Sequence, residues 1–390
     1  MAFAIALTLE AFAGQSTQAQ TFKVLHTFTG SPDGETPYAA LVEDASGNLY
    51  GTTEAGGVSG SGAVFKVNSK GETVMYSFKG SSDGGLPYAG LLIDAAGNLY
   101  GTTYFGGLGV GTVFEVNGKG KETVLFSFDG TNGELPYAGL VMDAKGNLYG
   151  TTFAGGASPY LGTVFKLAKD GKETVLYSFC HVAGCTDGAG PMGGLVMDVK
   201  GNLFGTASIG GGTGENCSNG CGTVFKVSAA GKFGVLYSFK GSPDGGNPYA
   251  GLVRDKKGNL YGTTVDGGVS GCSSGCGTVF KVSTTGKESV LYRFTGGKDG
   301  GEPFAGLVMD ANGNLYGTTA IGGANNLGTV FKLGKIGKET VLHSFNGKDG
   351  DVPTAGLHMD SAGNLYGTAS MGGDFSCFET GCGTVFKLTP

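Results

Sequence analysis

A repeated hexapeptide constrains this sequence more than any other feature. The string G-N-L-[YF]-G-T occurs seven times, at intervals of 49 to 57 residues, starting at Gly47, Gly97, Gly146, Gly201, Gly258, Gly313 and Gly363. Each copy lies in a fixed series of four apolar segments, of which the fullest are Pro136–Asp143, Gly146–Thr152, Gly162–Leu167 and Glu173–Phe179. Turn residues separate the segments, and none shows a sustained helical period. The pattern predicts four short antiparallel strands per repeat, called a to d, of five to eight residues each.

The order of the strands at the two ends of the chain predicts a closed ring. A lone strand d comes first, at Val24–Phe28, and the chain ends with strands a, b and c at Thr354–Asp360, Gly363–Thr368 and Gly383–Leu388. The first strand therefore completes the last unit, which removes the free sheet edges. We predict an all-β, seven-bladed β-propeller with four antiparallel strands per blade. It would form a single domain over residues 21–390.

The composition excludes several classes of protein. There are 79 glycines among 390 residues but no triplet period, which excludes collagen. Lys and Arg number 26 and Asp and Glu 32, so no basic surface favours nucleic acid or an anionic membrane as partner. No stretch approaches the roughly 18 apolar residues of a membrane span. No motif requires a metal or cofactor, and we expect a monomer.

The N-terminus and the cysteines point to export. Residues 1–20 are typical of a signal-peptide remnant, with an apolar start followed by small and polar residues. The eight cysteines form four close pairs, Cys180/Cys185, Cys217/Cys221, Cys272/Cys276 and Cys377/Cys382. In an exported chain such pairs favour local disulfides, although zinc binding or free thiols remain alternatives. We expect a protein that is secreted or held at the cell surface or in the periplasm.

The ligand-binding candidates lie in the loops of one face. In an antiparallel blade the b–c and d–a loops share a face, and these loops vary most in length, which is typical of functional loops. An Asp precedes strand a in six repeats, at Asp33, Asp83, Asp187, Asp244, Asp299 and Asp349. An aromatic residue follows the strand-a proline at Tyr38, Tyr88, Tyr137, Tyr249 and Phe304, with Met192 and Thr354 as exceptions. These acids and aromatic rings would bind sugars or cations, or they would serve only in Asp-Gly turns and inter-blade packing.

A second set of Asp residues has a structural interpretation. These residues end every strand a, three positions before the Gly-Asn pair, at Asp44, Asp94, Asp143, Asp198, Asp255, Asp310 and Asp360. A carboxylate at such a position accepts the backbone N–H groups of a tight turn. The spacing also lacks the alternating oxygen ligands of a calcium-binding loop.

Few residues break the repeat in a way that would suggest catalysis. His358 and Arg254 replace apolar residues of strand a, near the axis of the predicted ring. No Ser-His-Asp, paired-carboxylate or His-rich metal motif accompanies them. We therefore expect a binding or interaction module for a glycan, peptide or protein. The alternatives are a polysaccharide hydrolase or lyase that uses the channel mouth around His358 and Arg254, and a structural component of the cell envelope.

The repeat also resembles a known family. The segments Gly97–Thr103, Gly106–Gly107 and Gly111–Val116 resemble one copy of the bacterial GloVer tandem repeat, named from Gloeobacter and Verrucomicrobia, although Glu115 replaces its usual Lys. The resemblance recurs seven times over residues 22–390, implies an exported repeat protein and transfers no catalytic residue. The D-x-x-G-N-L-Y segment is also distantly similar to the hairpin of NHL and two-component-regulator propellers.

Overall fold

The computed structural model describes residues 20–156, 161–212, 214, 217–377 and 379–390. The described residues form seven antiparallel sheets of four strands, arranged as the blades of a propeller. The predicted signal-peptide remnant lies outside the described residues, except for Gln20. A single 3-10 turn, Ala183–Cys185, is the one helical element of the described part of the chain, as the absence of a helical period predicted.

The strands follow one another in chain order. The first is β1 (Thr21–Thr27). Blade 1 contains β2 (Val42–Glu43), β3 (Leu49–Thr53), β4 (Ala63–Asn68) and β5 (Gly71–Ser77). Blade 2 contains β6 (Leu92–Ile93), β7 (Leu99–Thr103), β8 (Thr112–Val116) and β9 (Glu122–Ser127). Blade 3 contains β10 (Val141–Met142), β11 (Leu148–Thr152), β12 (Thr163–Leu167) and β13 (Glu173–Ser178). Blade 4 contains β14 (Val196–Met197), β15 (Leu203–Ala207), β16 (Thr223–Val227) and β17 (Phe233–Ser238).

The remaining strands complete the ring. Blade 5 contains β18 (Val253–Arg254), β19 (Leu260–Thr264), β20 (Thr278–Val282) and β21 (Glu288–Arg293). Blade 6 contains β22 (Val308–Met309), β23 (Leu315–Thr319), β24 (Thr329–Leu333) and β25 (Glu339–Ser344). Blade 7 contains β26 (His358–Met359), β27 (Leu365–Ala369) and β28 (Thr384–Thr389), followed by β1 as its outermost strand.

The first strand closes the ring, which confirms the sequence prediction. β1 pairs with β28 in antiparallel register, from Thr21 opposite Thr389 to Thr27 opposite Thr384, with a bulge between Val24 and His26. Blade 7 thus consists of both ends of the chain, and every sheet has the same strand order from the axis outward.

Strand a is shorter than predicted. Its sheet pairing covers two residues in each blade rather than five to eight, because the carbonyl groups before the strand bond to the neighbouring blade. A buried Thr of strand b donates its hydroxyl to the carbonyl of a small residue in the next blade. The pairs are Thr52 and Ala89, Thr102 and Ala138, Thr151 and Gly193, Thr206 and Ala250, Thr263 and Ala305, Thr318 and Ala355, and Thr368 and Ala39, at 2.8 to 3.3 Å. The last pair extends this hydrogen-bonded ring across the closure between blades 7 and 1.

Phenylalanine pairs form the core between blades. The buried Phe that follows each strand d packs edge-to-face on the buried Phe of strand c in the next blade, with centroids 4.9 to 5.4 Å apart. Within a blade, the strand-c Phe covers a strand-b Gly: Phe165 lies opposite Gly150, where a Cβ would be 2.7 Å from the ring. The glycine in the repeat therefore makes room for this ring.

The Asp that ends strand a organises the a–b turn, as predicted. Asp143 accepts bonds from the backbone N–H groups of Lys145 and Asn147, from the Asn147 amide, and from the Tyr149 hydroxyl, at 2.7 to 3.0 Å. Partial burial acts to raise the pKa of Asp143, but these hydrogen bonds outweigh it and lower the pKa to about 2. We call the face with the a–b and c–d turns the turn face, and the opposite face the loop face. Within the described residues, no helix is long and apolar enough to span a bilayer.

Candidate functional site

The residue before each strand-a proline has a left-handed backbone conformation. The seven residues are Thr36, Leu86, Leu135, Gly190, Asn247, Glu302 and Val352, with φ between 49° and 58°. Six are not glycine, and β-branched residues rarely adopt this conformation. Two backbone bonds stabilise it at every blade boundary. The Leu86 N–H donates to the carbonyl of Ser61 in the preceding blade, for example, and its carbonyl accepts the N–H of Tyr104 in its own blade. Such strained positions cluster at functional sites.

The residues that follow the prolines meet at the channel mouth on the loop face. One side chain from each blade lines a cavity of about 300 Å³, which we call the aromatic cup. The lining residues are Tyr38, Tyr88, Tyr137, Met192, Tyr249, Phe304 and Thr354. All seven are partly exposed, and the small residues after them, such as Ala89 and Ala138, are buried. Ring closure therefore brings together residues that lie far apart in the chain.

The rings of the cup form two curved walls. Tyr38, Tyr88 and Tyr137 follow one another with centroid separations of 5.7 and 5.2 Å and interplanar angles of 42° and 40°. Tyr249 and Phe304, from blades 5 and 6, are 5.5 Å apart. Since successive rings are tilted, the wall surrounds a compact group better than it supports a flat one.

A carboxylate from blade 1 borders the first wall. Glu54 accepts hydrogen bonds from the Tyr88 hydroxyl and, at 3.3 Å, from the Thr36 hydroxyl. Burial, and then the bond to Glu54 and its charge, raises the pKa of Tyr88. Burial, and then the charge of Glu54, also raises the pKa of Tyr38 and of Glu35. Glu54 therefore places a negative charge beside the cup.

A second carboxylate borders the other wall. Asp266 of blade 5 accepts a bond from the Asn247 amide. Its pKa is raised by burial, against the effect of that hydrogen bond. Burial, and then the charge of Asp266, raises the pKa of Tyr249 and of Glu302. The two carboxylates lie in blades 1 and 5 and so flank the cup from different sides.

The predicted disulfide pairings are confirmed, and three of the bonds lie directly behind the cup. The pairs are Cys180–Cys185, Cys217–Cys221, Cys272–Cys276 and Cys377–Cys382. The carbonyls of Cys382, Cys221 and Cys276 accept the N–H groups of the left-handed residues Thr36, Asn247 and Glu302. Each of these residues is two positions before Tyr38, Tyr249 or Phe304. The crosslinks therefore stiffen the loops that position three rings of the cup.

The predicted d–a loop acids do not line the cup. Their partners are side chains of strand d, the outermost strand: Tyr76, Tyr177, Tyr237 and Tyr292 donate to Asp83, Asp187, Asp244 and Asp299, and His26 and His343 contact Asp33 and Asp349, all within 2.6 to 3.2 Å. They also accept backbone N–H groups, as Asp83 does from Lys79 at 3.0 Å. The structure thus separates the predicted acids from the predicted tyrosines.

One of these acids belongs to a potential metal-binding group. Among the described residues, a single set brings three ligand atoms within 4.8 Å of one another: His26, Asp33 and Glu72. The contact between His26 and Asp33 replaces the Tyr–Asp bond of other blades, so the set has a structural explanation as part of the contact between blades 7 and 1.

His358 and Arg254 do not meet. The His358 Nε2 atom lies 3.0 Å from the Glu43 carboxylate across the boundary between blades 7 and 1. Arg254 of blade 5 packs over the ring of Phe204 and borders a cleft of about 840 Å³ on the turn face, together with Lys256. Neither residue lines the cup.

Sequence reasoning missed Glu54 as a functional candidate. It directly follows strand b, at the position that Tyr104 and Phe153 occupy in blades 2 and 3. A carboxylate at this position of the repeat was the available signal. Asp266 and Tyr104 also depart from the repeat. The sequence alone does not show that Asp266 lies near Tyr249, or that the Tyr104 ring packs on Tyr88 and Tyr137 with centroids 5.4 and 4.8 Å apart.

The propeller fold is shared with solved extracellular domains. The chain is similar to the extracellular domain of a candidate one-component system from B. thetaiotaomicron, with 10% identity, a TM-score of 0.59, and coverage of 93% of this chain and 40% of that one. It is also similar to the extracellular domain of a candidate hybrid two-component system from B. thetaiotaomicron, with 13% identity, a TM-score of 0.60, and coverage of 95% and 41%. The chain thus spans about two fifths of these structures, and the likeness concerns the fold.

Sequence similarity identifies the family. No curated protein matches the chain in sequence. The Gloeobacter/Verrucomicrobia repeat matches it over residues 14–218 and 211–390. These two matches cover nearly the whole chain, and they agree with the resemblance recognised in the seven G-N-L-[YF]-G-T strings. The chain therefore belongs to the Gloeobacter/Verrucomicrobia repeat family.

Proposed function

We propose that this protein is an extracellular binding module whose ligand occupies the aromatic cup. The observation that carries the proposal is that every blade contributes one side chain to a single cavity, and five of the seven are aromatic. Its volume of about 300 Å³ is at the lower end of the range for small-molecule sites. A small ligand, a sugar unit of a glycan, or one side chain of a peptide or protein is of a suitable size.

The surroundings of the cup favour binding by a preformed site. The left-handed residues behind its rings are each held by two backbone bonds. Disulfides crosslink three of the loops that accept those bonds. A site that is already ordered loses little conformational entropy when a ligand binds.

The disulfides also support the proposed location. Four local disulfides persist in an oxidising compartment and are rare in reducing cytosol. We therefore propose a location outside the cytoplasm, as a secreted, periplasmic or surface-exposed module. The enzymatic alternative receives no support from His358 and Arg254, since His358 contacts Glu43 of blade 1 and Arg254 packs on Phe204 of blade 4.

Substitution of cup tyrosines tests the proposal. The wild-type protein would first be screened against glycans, peptides and small metabolites by saturation-transfer NMR. We expect Tyr137→Ala and Tyr249→Ala each to weaken the binding of any hit about tenfold, because each removes a ring from the wall of the cup. The matched control is Ile336→Ala, which removes an exposed apolar side chain from the turn face. Unchanged melting temperatures show that the fold is intact.

Two results would contradict the proposal. One is a library in which no compound binds the wild-type protein. The other is a ligand whose affinity is reduced equally by the two cup variants and by Ile336→Ala, because the cup would then not be its site.

A further inference from the structure

The two sets of loops on the loop face differ in charge: the d–a loops contain Lys79, Lys240, Lys298 and Lys348, whereas the b–c loops contain no basic residue. The seven b–c loops, residues 54–62, 104–111, 153–162, 208–222, 265–277, 320–328 and 370–383, contain no Lys, Arg or His. Lysines are also frequent in the turns of the opposite face, as in Lys256–Lys257 and Lys335–Lys338. An anionic ligand approaching the cup would therefore meet no cationic group from the b–c loops.

Among the residues that the structure describes, two carboxylates border the cup without a basic hydrogen-bond partner. Glu54 is bonded to the hydroxyls of Tyr88 and Thr36, and Asp266 to the amide of Asn247. All of these partners are neutral, and none of the seven lining residues is basic. The direction of several pKa shifts agrees with this arrangement: after burial, the charge of Glu54 is what raises the pKa of Tyr38. The hydrogen-bond partners of Glu54 and Asp266 therefore do not neutralise their charge.

The shape of the wall distinguishes among ligands. A sugar ring stacks on a flat aromatic surface, whereas the cup presents successive rings tilted by about 40°. Tilted rings that surround a compact group are the arrangement by which aromatic cages hold alkylammonium groups, because the face of each ring carries negative charge density. Tyr249 and Phe304 supply two further rings, tilted by 59°.

We propose that the aromatic cup selects a small organic cation with a trimethylammonium-type head, which lies among the rings while Glu54 and Asp266 supply the negative field. This inference rests on the proposed function, since it names the ligand class of the same cup. It extends that function by replacing a broad set of ligands with one chemical class.

A pair of isosteric probes tests this inference. Choline and its neutral analogue 3,3-dimethylbutan-1-ol have the same shape and differ in charge. We expect titration calorimetry at low salt to show choline binding about tenfold more tightly than the alcohol, because cation–π attraction and a nearby carboxylate favour the charged head. Choline affinity is expected to fall about fivefold in Glu54→Gln and to weaken as salt is added. Asp374→Asn is the matched control, because it removes a partly exposed acid from another b–c loop.

The possible outcomes separate this inference from the proposed function. Equal affinity for choline and the alcohol, or equal losses in Glu54→Gln and Asp374→Asn, would overturn the cation inference. A neutral sugar that binds at the cup when choline does not would also overturn it, while leaving the proposed binding function intact. If no tested ligand binds at all, both the inference and the proposed function are wrong.

Discussion

Removal of residues 20–29 is expected to abolish folding. The deletion takes away β1, and with it six residue pairs to β28 and the fully buried side chain of Phe28. Phe28 packs edge-to-face on Phe65 of blade 1. Truncating a buried Phe alone costs about 3–5 kcal/mol, and the whole stability of a domain is about 5–15 kcal/mol. We expect circular dichroism to show no cooperative thermal transition for the truncated chain.

A circular permutant is the control for this deletion. Thr21 and Thr389 face each other in the sheet, so a short turn with the sequence of one of the chain's own c–d turns can join Pro390 to Gln20. New termini would then fall between Gly30 and Ser31. The permutant keeps every strand and is expected to melt within a few degrees of the wild type. A truncated chain that melts cooperatively near the wild-type temperature would show that β1 is not needed to close the ring.

Raising the pH from 5 to 8 is expected to destabilise the protein. Five strand-d glutamates each face an Asp in the d–a loop of the preceding blade: Glu72 and Asp33, Glu122 and Asp83, Glu173 and Asp129, Glu288 and Asp244, and Glu339 and Asp299. Burial, and then the charge of the facing Asp, raises the pKa of each Glu to about 7. One oxygen of each Glu is buried without a hydrogen-bond partner.

The sign of the effect follows from proton linkage. A Glu with a raised pKa binds its proton more tightly in the folded state, so its contribution is complete below about pH 4.5 and is lost as the pH rises through 7. The turn-face aspartates act in the opposite sense. Hydrogen bonding lowers the pKa of Asp143 to about 2, so its contribution is complete above about pH 4 and is lost in acid. Maximal stability is therefore expected between about pH 4 and 5.

The size of the effect is limited by solvent. The five glutamates are half-buried, and screening reduces each contribution to about 1 kcal/mol. Together they would lower the melting temperature by about 5 °C between pH 5 and pH 8. Differential scanning calorimetry across this range measures the shift.

The chain itself suggests the control for the pH prediction. In two blades a Phe replaces the Glu: Phe233 stacks on Tyr177 and Phe22 on His343, both with centroids 3.6 Å apart. At these two blade boundaries an aromatic ring takes the place of the Glu carboxyl group, so no Glu has to be protonated there. Replacing the five glutamates by Gln is expected to remove most of the pH dependence and to raise the melting temperature at pH 8. A melting temperature that rises from pH 5 to 8, or a dependence that survives in the Gln variant, contradicts the assignment.

The repeat predicted the fold because each of its residue types has one structural use. The second Gly of G-N-L-[YF]-G-T leaves room for the opposing Phe. The Asp that ends strand a accepts hydrogen bonds from the backbone N–H groups of the turn that follows it. The lone Val24–Phe28 segment indicated how the ring closes. The predicted length of strand a was wrong. The hydrogen bond from the Thr102 hydroxyl to the carbonyl of Ala138 joins two blades, so the sequence of a single repeat does not reveal it.

The candidate site was predicted only in part. The residues after the prolines were recognised because Tyr38, Tyr88, Tyr137 and Tyr249 recur at one position, and the structure places them in one cavity. The d–a loop acids were grouped with them because both lie near the start of strand a. Spacing along the chain did not show that Asp83 turns outward to Tyr76 while Tyr88 turns to the axis. Glu54 was missed because the Tyr88 hydroxyl, which donates to it, belongs to the next blade.

The pairing of the two chain ends is the contact on which the cup depends, and a designed crosslink tests it directly. Lys23 of β1 and Lys387 of β28 lie opposite each other in the sheet, at a separation that suits a disulfide. Lys23→Cys combined with Lys387→Cys is expected to form a crosslink within one molecule under mild oxidation, visible by peptide mass spectrometry. Lys23→Cys combined with Lys166→Cys of blade 3 is the control and is expected to form none. A crosslink in the control pair, or none within a molecule between residues 23 and 387, would contradict the closed ring.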